Sequence, residues 1–204
     1  MNSSITFALL SLLLALNSNP SLASGRNHTD DTNPCRLTRY SRYVKNACSV
    51  TQYQQLCFRT LWPFAVVAEN NSSKWARAGV AVTITDTKQI LRLLLKTRSL
   101  AVGKRERVAL SDCRELFVDS LGNLYKSLAL LRKLDADSEF QQQMSDLATW
   151  LSSALTDEDT CLDGFEETSI SSWTVRMIRR RASRCMQLCS NALALLNKLA
   201  YDGL

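Results

Sequence analysis

The stretch ACSVTQYQQLC, residues 47–57, sets Cys48 and Cys57 nine positions apart in a segment that otherwise has helical composition. In one straight helix their Cα atoms would lie roughly 13 Å apart, at about 1.5 Å of rise per residue. A disulfide tolerates only about 4.4–6.8 Å between Cα atoms. Either these thiols do not pair, or the chain doubles back between them, and the choice decides the kind of fold.

Pairing requires an oxidising compartment. The chain opens MNSSITFALLSLLLALNSNPSLASG, with a largely apolar, uncharged run from Ile5 to Leu16. A polar stretch follows, then Ser21-Leu22-Ala23, small residues at the positions a signal peptidase reads. Spanning a bilayer takes about 20 apolar residues, so the run fits a cleaved signal peptide over residues 1–23 better than an anchor. The expectation is a secreted chain, residues 24–204, with no later membrane span. No charged side chain precedes Arg26, so the net charge of +6 stays with the mature part. That balance suits an extracellular matrix rich in polyanions and, in a secreted chain, argues against nucleic acid as partner. Asn27, Asn70 and Asn71 head glycosylation sequons, the last two adjacent and so competing.

Downstream of Pro63 there is no proline, and the whole chain has only 6 glycines, which favours long helices over a many-turned sheet. Residues 24–34 are polar and read as a flexible lead-in, and Arg36 to Leu61 as short helical pieces. Four long segments then carry apolar residues in steps of three and four. The first, Lys74 to Leu100, has Val80, Ile84, Thr87, Leu91, Leu94 and Leu95 along one side. The second, Lys104 to Leu134, has Leu110, Cys113, Phe117, Leu121, Leu124, Leu128 and Leu131. The third, Asp137 to Leu155, has Phe140, Met144, Leu147, Leu151 and Ala154. The last, Ser171 to Ala200, has Val175, Ile178, Ala182, Cys185, Cys189, Ala192, Leu196 and Leu199. Single apolar seams with short connections predict an all-α fold, an antiparallel four-helix bundle over residues 63–204, with a small N-terminal helical appendage over 35–62.

Seven cysteines leave at least one thiol unpaired within the chain. Cys185 and Cys189, four apart on the seam of one helix, are placed to act as small buried apolar residues rather than to bond each other. Cys35 has no assigned partner. The sole histidine, His28, lies in the lead-in, so neither a metal site nor a histidine-based catalytic pair is predicted, and no cofactor is expected. Asp157-Glu158-Asp159 is an acidic cluster that the apolar pattern places in a polar connection after the third helix. Arg176, Arg179, Arg180, Arg181 and Arg184 form a basic patch on the last helix, a candidate hold for an acidic polysaccharide.

Four further stretches carry a resemblance. Cys48 to Cys57, with Thr51 and Tyr53 between them, is similar to the N-terminal hairpin of the plant invertase inhibitor and pectin methylesterase inhibitor family. Ala109-Leu110-Ser111-Asp112-Cys113-Arg114-Glu115-Leu116-Phe117 is similar to the family's motif around its third cysteine. Trp150 to Leu155, with Thr160-Cys161-Leu162-Asp163-Gly164-Phe165, is similar to that around the fourth, and Ser190-Asn191-Ala192-Leu193-Ala194-Leu195 closes the match. The resemblance covers about residues 36–201. It implies a four-helix bundle behind a disulfide-closed hairpin, with Cys48 bonded to Cys57 and Cys113 to Cys161. Gln54 stands where many members have proline, which implies that the disulfide holds the turn with less help from the backbone. Invertase inhibitors of the family carry a Pro-Lys-Phe element beyond the fourth cysteine, and Cys161-Leu162-Asp163-Gly164-Phe165-Glu166 lacks it. The resemblance therefore implies a non-enzymatic inhibitor that caps the pectin-binding cleft of a pectin methylesterase in a one-to-one complex, with invertase as the alternative target. The contacts it implies are Glu115, Asp119, Thr160 and Asp163. Gly122 replaces a further acidic contact of the family and would weaken the helix there by about 1 kcal/mol against alanine.

Overall fold

In a computed structural model of the chain, the structure describes residues 34–97, 103–134, 139–166 and 173–203. The signal peptide, the lead-in, Asn27 and His28 lie outside the described residues, as does the Cys35 side chain. The elements are α1 (Pro34–Cys48), α2 (Gln54–Leu61), a 3-10 turn (Trp62–Phe64), α3 (Ala65–Ala68), α4 (Ser72–Thr97), α5 (Lys104–Leu131), α6 (Phe140–Glu166) and α7 (Trp173–Asp202). Among the described residues no strand occurs.

The chain doubles back at residues 49–53. The Cys48–Cys57 disulfide spans 5.8 Å between Cα atoms, and α1 and α2 pack as the two arms of a hairpin. Missing a proline at Gln54 does not leave the turn to the disulfide alone. Thr51 N–H and Oγ1 both donate to Cys48 O (3.1 and 2.8 Å), and Gln54 Nε2 reaches back to Ser49 O (3.2 Å). The far end of the chain contributes as well. Asn191 of α7, 3 % exposed, accepts from Tyr53 N–H at Oδ1 and donates from Nδ2 to Tyr53 O, both at 3.1 Å. Tyr53 O also accepts from Cys57 N–H, so the N–H is the group that depends on Asn191. An Asn191→Ala variant is expected to lose about 1–3 kcal/mol, the cost of removing both bonds and stranding a part-buried donor. A urea midpoint indistinguishable from that of the parent protein would show that the clasp is dispensable.

Helices α4 to α7 form a bundle in which α4 packs on α5 and α7, and α6 packs on α5 and α7. Every predicted seam residue of α7 is at most 1 % exposed. Along α5 the predicted seam is buried at Leu110, Cys113, Phe117, Leu124, Leu128 and Leu131 but only half-buried at Leu121, and Gly122 does not interrupt that helix. In α4 the apolar line runs through Ile84, Thr87, Ile90 and Leu94, so Leu95 is not part of it and is 58 % exposed. Where α4 crosses α7, a Cβ on Gly79 would stand 3.0 Å from Leu195 Cδ1, so glycine permits the close approach.

The third helix corrects the sequence expectation. It does not stop at Leu155 but continues to Glu166, and Asp157-Glu158-Asp159 is helical rather than a polar connection. Glu158 is 0 % exposed. It continues the seam of α6 by the same steps of three and four, through Leu151, Ala154, Glu158, Cys161 and Phe165. A carboxyl can take that place because hydroxyls meet it: Ser120 Oγ donates to Glu158 Oε1 at 2.9 Å, and Thr87 Oγ1 at 3.4 Å. Thr87, Ser120 and Glu158 form a polar belt across the bundle. On one side lie Ile84, Leu124, Ala154 and Cys189, and on the other Ile90, Phe117, Cys161 and Cys185. A third apolar cluster joins the hairpin to the bundle through Val44, Leu61, Trp75 and Leu195.

Candidate functional site

Two antiparallel helices present the four residues that the family resemblance singles out. Their register is fixed by three cross-links. Cys113 and Cys161 are disulfide-bonded with Cα atoms 4.5 Å apart, Ser120 meets Glu158, and Asn123 Nδ2 donates to Ser153 Oγ at 3.1 Å. This antiparallel pairing sets Glu115 of α5 level with Thr160 of α6, and Asp119 level with Asp157. Glu115, Asp119, Thr160 and Asp163 are all exposed, because the seam of each helix faces the other way.

Beside the disulfide lies a groove of about 730 Å³, whose wall includes Lys104, Val108, Asp112, Leu116, Thr160 and Gly164. Of the four predicted contacts only Thr160 lines it. Glu115, Asp119 and Asp163 stand on the surrounding surface. Val108, an exposed valine (51 %), and Asp112 were missed as candidates. Spacing marks both as off the seam of α5 and so exposed, but nothing in the pattern pairs them with Thr160. Thr160 Oγ1 donates its proton to the carbonyl of Thr156 (2.8 Å), which leaves the oxygen as an acceptor only. Asp157 is raised from the usual carboxylate range, by partial burial first and by the nearby Asp119 charge second.

Behind this face sits the belt. Burial pushes the Glu158 carboxyl up to about 8, against the opposing pull of the Ser120 and Thr87 hydroxyls, and the charges of Asp157 and Asp86 add to the rise. Its Oε2 has no hydrogen-bond partner, which suits a neutral acid better than a carboxylate. Cys185 and Cys189 are free and buried. Burial and the Glu158 charge drive both thiols well above the ordinary thiol range, so neither is a nucleophile at neutral pH. Among the described residues no group of three or more histidine, cysteine or acidic side chains is arranged to hold a metal.

The α5–α6 face is exposed, its register is held by the Cys113–Cys161 bond, and the Glu158 carboxyl behind it is fully buried. Fold and face together define a helical bundle that presents an exposed two-helix surface. A sequence model described as plant invertase/pectin methylesterase inhibitor matches residues 42–195, and the chain belongs to that family. Pectinesterase inhibitor 6 of Arabidopsis thaliana is 76 % identical over 168 residues, covering 82 % of this chain and 80 % of the relative. Pectinesterase 1 of Citrus sinensis is 30 % identical over 162 residues, which make up 76 % of this chain but only 27 % of that protein. A crystal structure of a mutant form of a pectin methylesterase inhibitor from Arabidopsis superposes with a TM-score of 0.60 at 21 % identity, over 74 % of this chain and 92 % of the other. That likeness supports the bundle architecture.

Proposed function

We propose that the protein is a secreted, non-enzymatic inhibitor of pectin methylesterase, which binds the enzyme one-to-one through the α5–α6 face and keeps pectin from its cleft. The observation that carries this reading is the exposed, disulfide-registered face bearing Glu115, Asp119, Thr160 and Asp163, in a chain 76 % identical to a protein named pectinesterase inhibitor. Three acids around a groove with a threonine wall offer charge for steering and a flat edge for contact, while the bundle behind them holds the geometry. Invertase is the other target that the family description admits. The high identity to a pectinesterase inhibitor favours the esterase.

Secretion to the cell wall is supported by the leader-like N terminus and by two disulfides, which persist in oxidising compartments. No helix among the described residues is long and apolar enough to cross a membrane. Of the two adjacent sequons, Asn70 is the better glycosylation acceptor. Asn71 Oδ1 already caps α4 by accepting from Lys74 N–H (2.8 Å), and the serine its sequon requires, Ser73, is 5 % exposed.

The test is a side-by-side assay of a plant pectin methylesterase and an acid invertase with the purified protein. Inhibition of the esterase alone is expected, and inhibition of invertase alone would reverse the assignment. A Glu115→Lys/Asp119→Lys variant, both positions being exposed, is expected to fold normally and to weaken esterase binding by about tenfold or more, ~1.4 kcal/mol.

A further inference from the structure

The α4–α7 side of the bundle lies opposite the α5–α6 face, since each helix packs on two neighbours in a closed ring of four. It carries two grooves that share Met177, Arg181 and Arg184. The larger, about 630 Å³, runs between α2 and α7 and is headed by Trp173, which is 68 % exposed. The smaller, about 270 Å³, continues onto α4 with Arg92 and Lys96 in its wall. Arg176, Arg180 and Arg181 are exposed. The single carboxylate in either wall, Asp86, is held by Arg184 Nε at 2.7 Å.

We propose that this continuous basic groove is a binding site for a polyuronate chain, a sugar polymer with a carboxylate on each ring. Arg180 and Arg181 stand exposed side by side, and Arg176 and Arg184, one turn to either side of Arg180 at about 6 Å along the helix axis, extend the basic surface, with Arg184 already paired with Asp86. Guanidinium groups match carboxylates in a bidentate fork. An exposed indole at the head of the groove gives a flat apolar platform against which a sugar ring packs, and a peptide or simple polyanion has no need of it. The proposal deepens the inhibitor reading and rests on it in one respect. Hydrolysis of a pectin methyl ester releases methanol and leaves a carboxylate on the polymer, so the ligand of this groove is the product of the enzyme bound on the opposite face. The inhibitor would then be retained where de-esterification has already occurred.

Titration calorimetry with three probes tests it: de-esterified oligogalacturonate, the fully methyl-esterified oligomer of equal length, and polyglutamate. The parent protein is expected to bind the de-esterified oligomer, with affinity that falls as salt rises, and the esterified one at least about tenfold more weakly. An Arg180→Gln/Arg181→Gln variant is expected to lose about tenfold in affinity for the de-esterified oligomer. Trp173→Ala should weaken the oligogalacturonate and leave polyglutamate unchanged. Equal binding of polyglutamate, or indifference to the two arginines, would overturn the proposal. Esterase binding, measured by interferometry without pectin, separates this result from the function above. The arginine variant should retain it, and its loss would instead make the groove part of the esterase interface and refute a separate polyuronate site.

Discussion

A Cys113→Ala/Cys161→Ala variant is expected to lose about 4 kcal/mol of stability, the chain-entropy value for cross-linking a loop of this length. The bond spans 48 positions and joins the early part of α5 to the late part of α6. The Cys48–Cys57 bond spans 9 and is worth roughly 2.5–3 kcal/mol on the same account. Domains of this size are stable by about 5–15 kcal/mol, so the longer bond can account for a large share of the total. The sulfurs are also core atoms, since Cys113 and Cys161 are 1 % and 2 % exposed and pack with Phe117, Phe165 and Ile178. Chemical denaturation of the two alanine pairs side by side checks the order. A midpoint for the long-loop pair no lower than that of the short-loop pair would refute the assignment. The long-loop variant should also lose esterase affinity before it unfolds, because the bond sets the relative height of Glu115 and Thr160.

The second large effect concerns pH. Glu158 has its carboxyl raised from an ordinary value of 4.5 to about 8 in the folded protein. The folded state therefore holds this proton more tightly than the unfolded chain does. The stability it confers is fully present below 4.5, declines as pH climbs from 4.5 to about 8, and is gone above that. Within the window the slope is about 1.4 kcal/mol per pH unit for one proton. The groups that face Glu158 are Thr87 and Asp86 from α4, Ser120 from α5, Asp157 on its own helix, and Cys185 and Cys189 from α7, while Arg184 is paired with Asp86. Asp157, also raised, contributes in the same direction. A Glu158→Gln variant keeps an oxygen for Ser120 and removes the titration. Its melting temperature should fall much less between acid and mildly alkaline buffer than that of the parent, and parallel curves for the two would rule out Glu158 as the source. Through this one group, then, the fold is held more firmly in acid than in a mildly alkaline medium.

Most of the bundle was legible because its seams are simple. Val175 through Leu199 alternate three and four steps without a break, and every one of those residues is buried. What the pattern missed was a polar residue at an apolar position. A scan for apolar residues ends α6 at Leu155, because the next seam position is a glutamate. Only the hydroxyls of Thr87 and Ser120, on helices distant in sequence, make that position tenable, and no local signal reports them. The line on α4 was misread at Leu91 and Leu95 for a smaller reason. Five leucines and isoleucines crowd residues 90–95, and spacing alone does not choose between Ile90 and Leu91. The site was legible as a set of exposed acids on one helical pair, through resemblance to a family. Its groove was not, because Val108 and Asp112 become neighbours of Thr160 only when the disulfide sets the register.

The Asn191 clasp carries a consequence for the order in which the chain acquires its structure. It ties the tip of the first hairpin to the final helix across 138 positions. Contacts of such separation close late, because the intervening chain must first give up its freedom. During synthesis the hairpin emerges long before the residue that completes its turn. Until α7 arrives, Cys48 and Cys57 sit in an unfinished turn, open to exchange with other thiols. Docking of the last helix then both fills the core and completes the turn that holds Cys48 against Cys57.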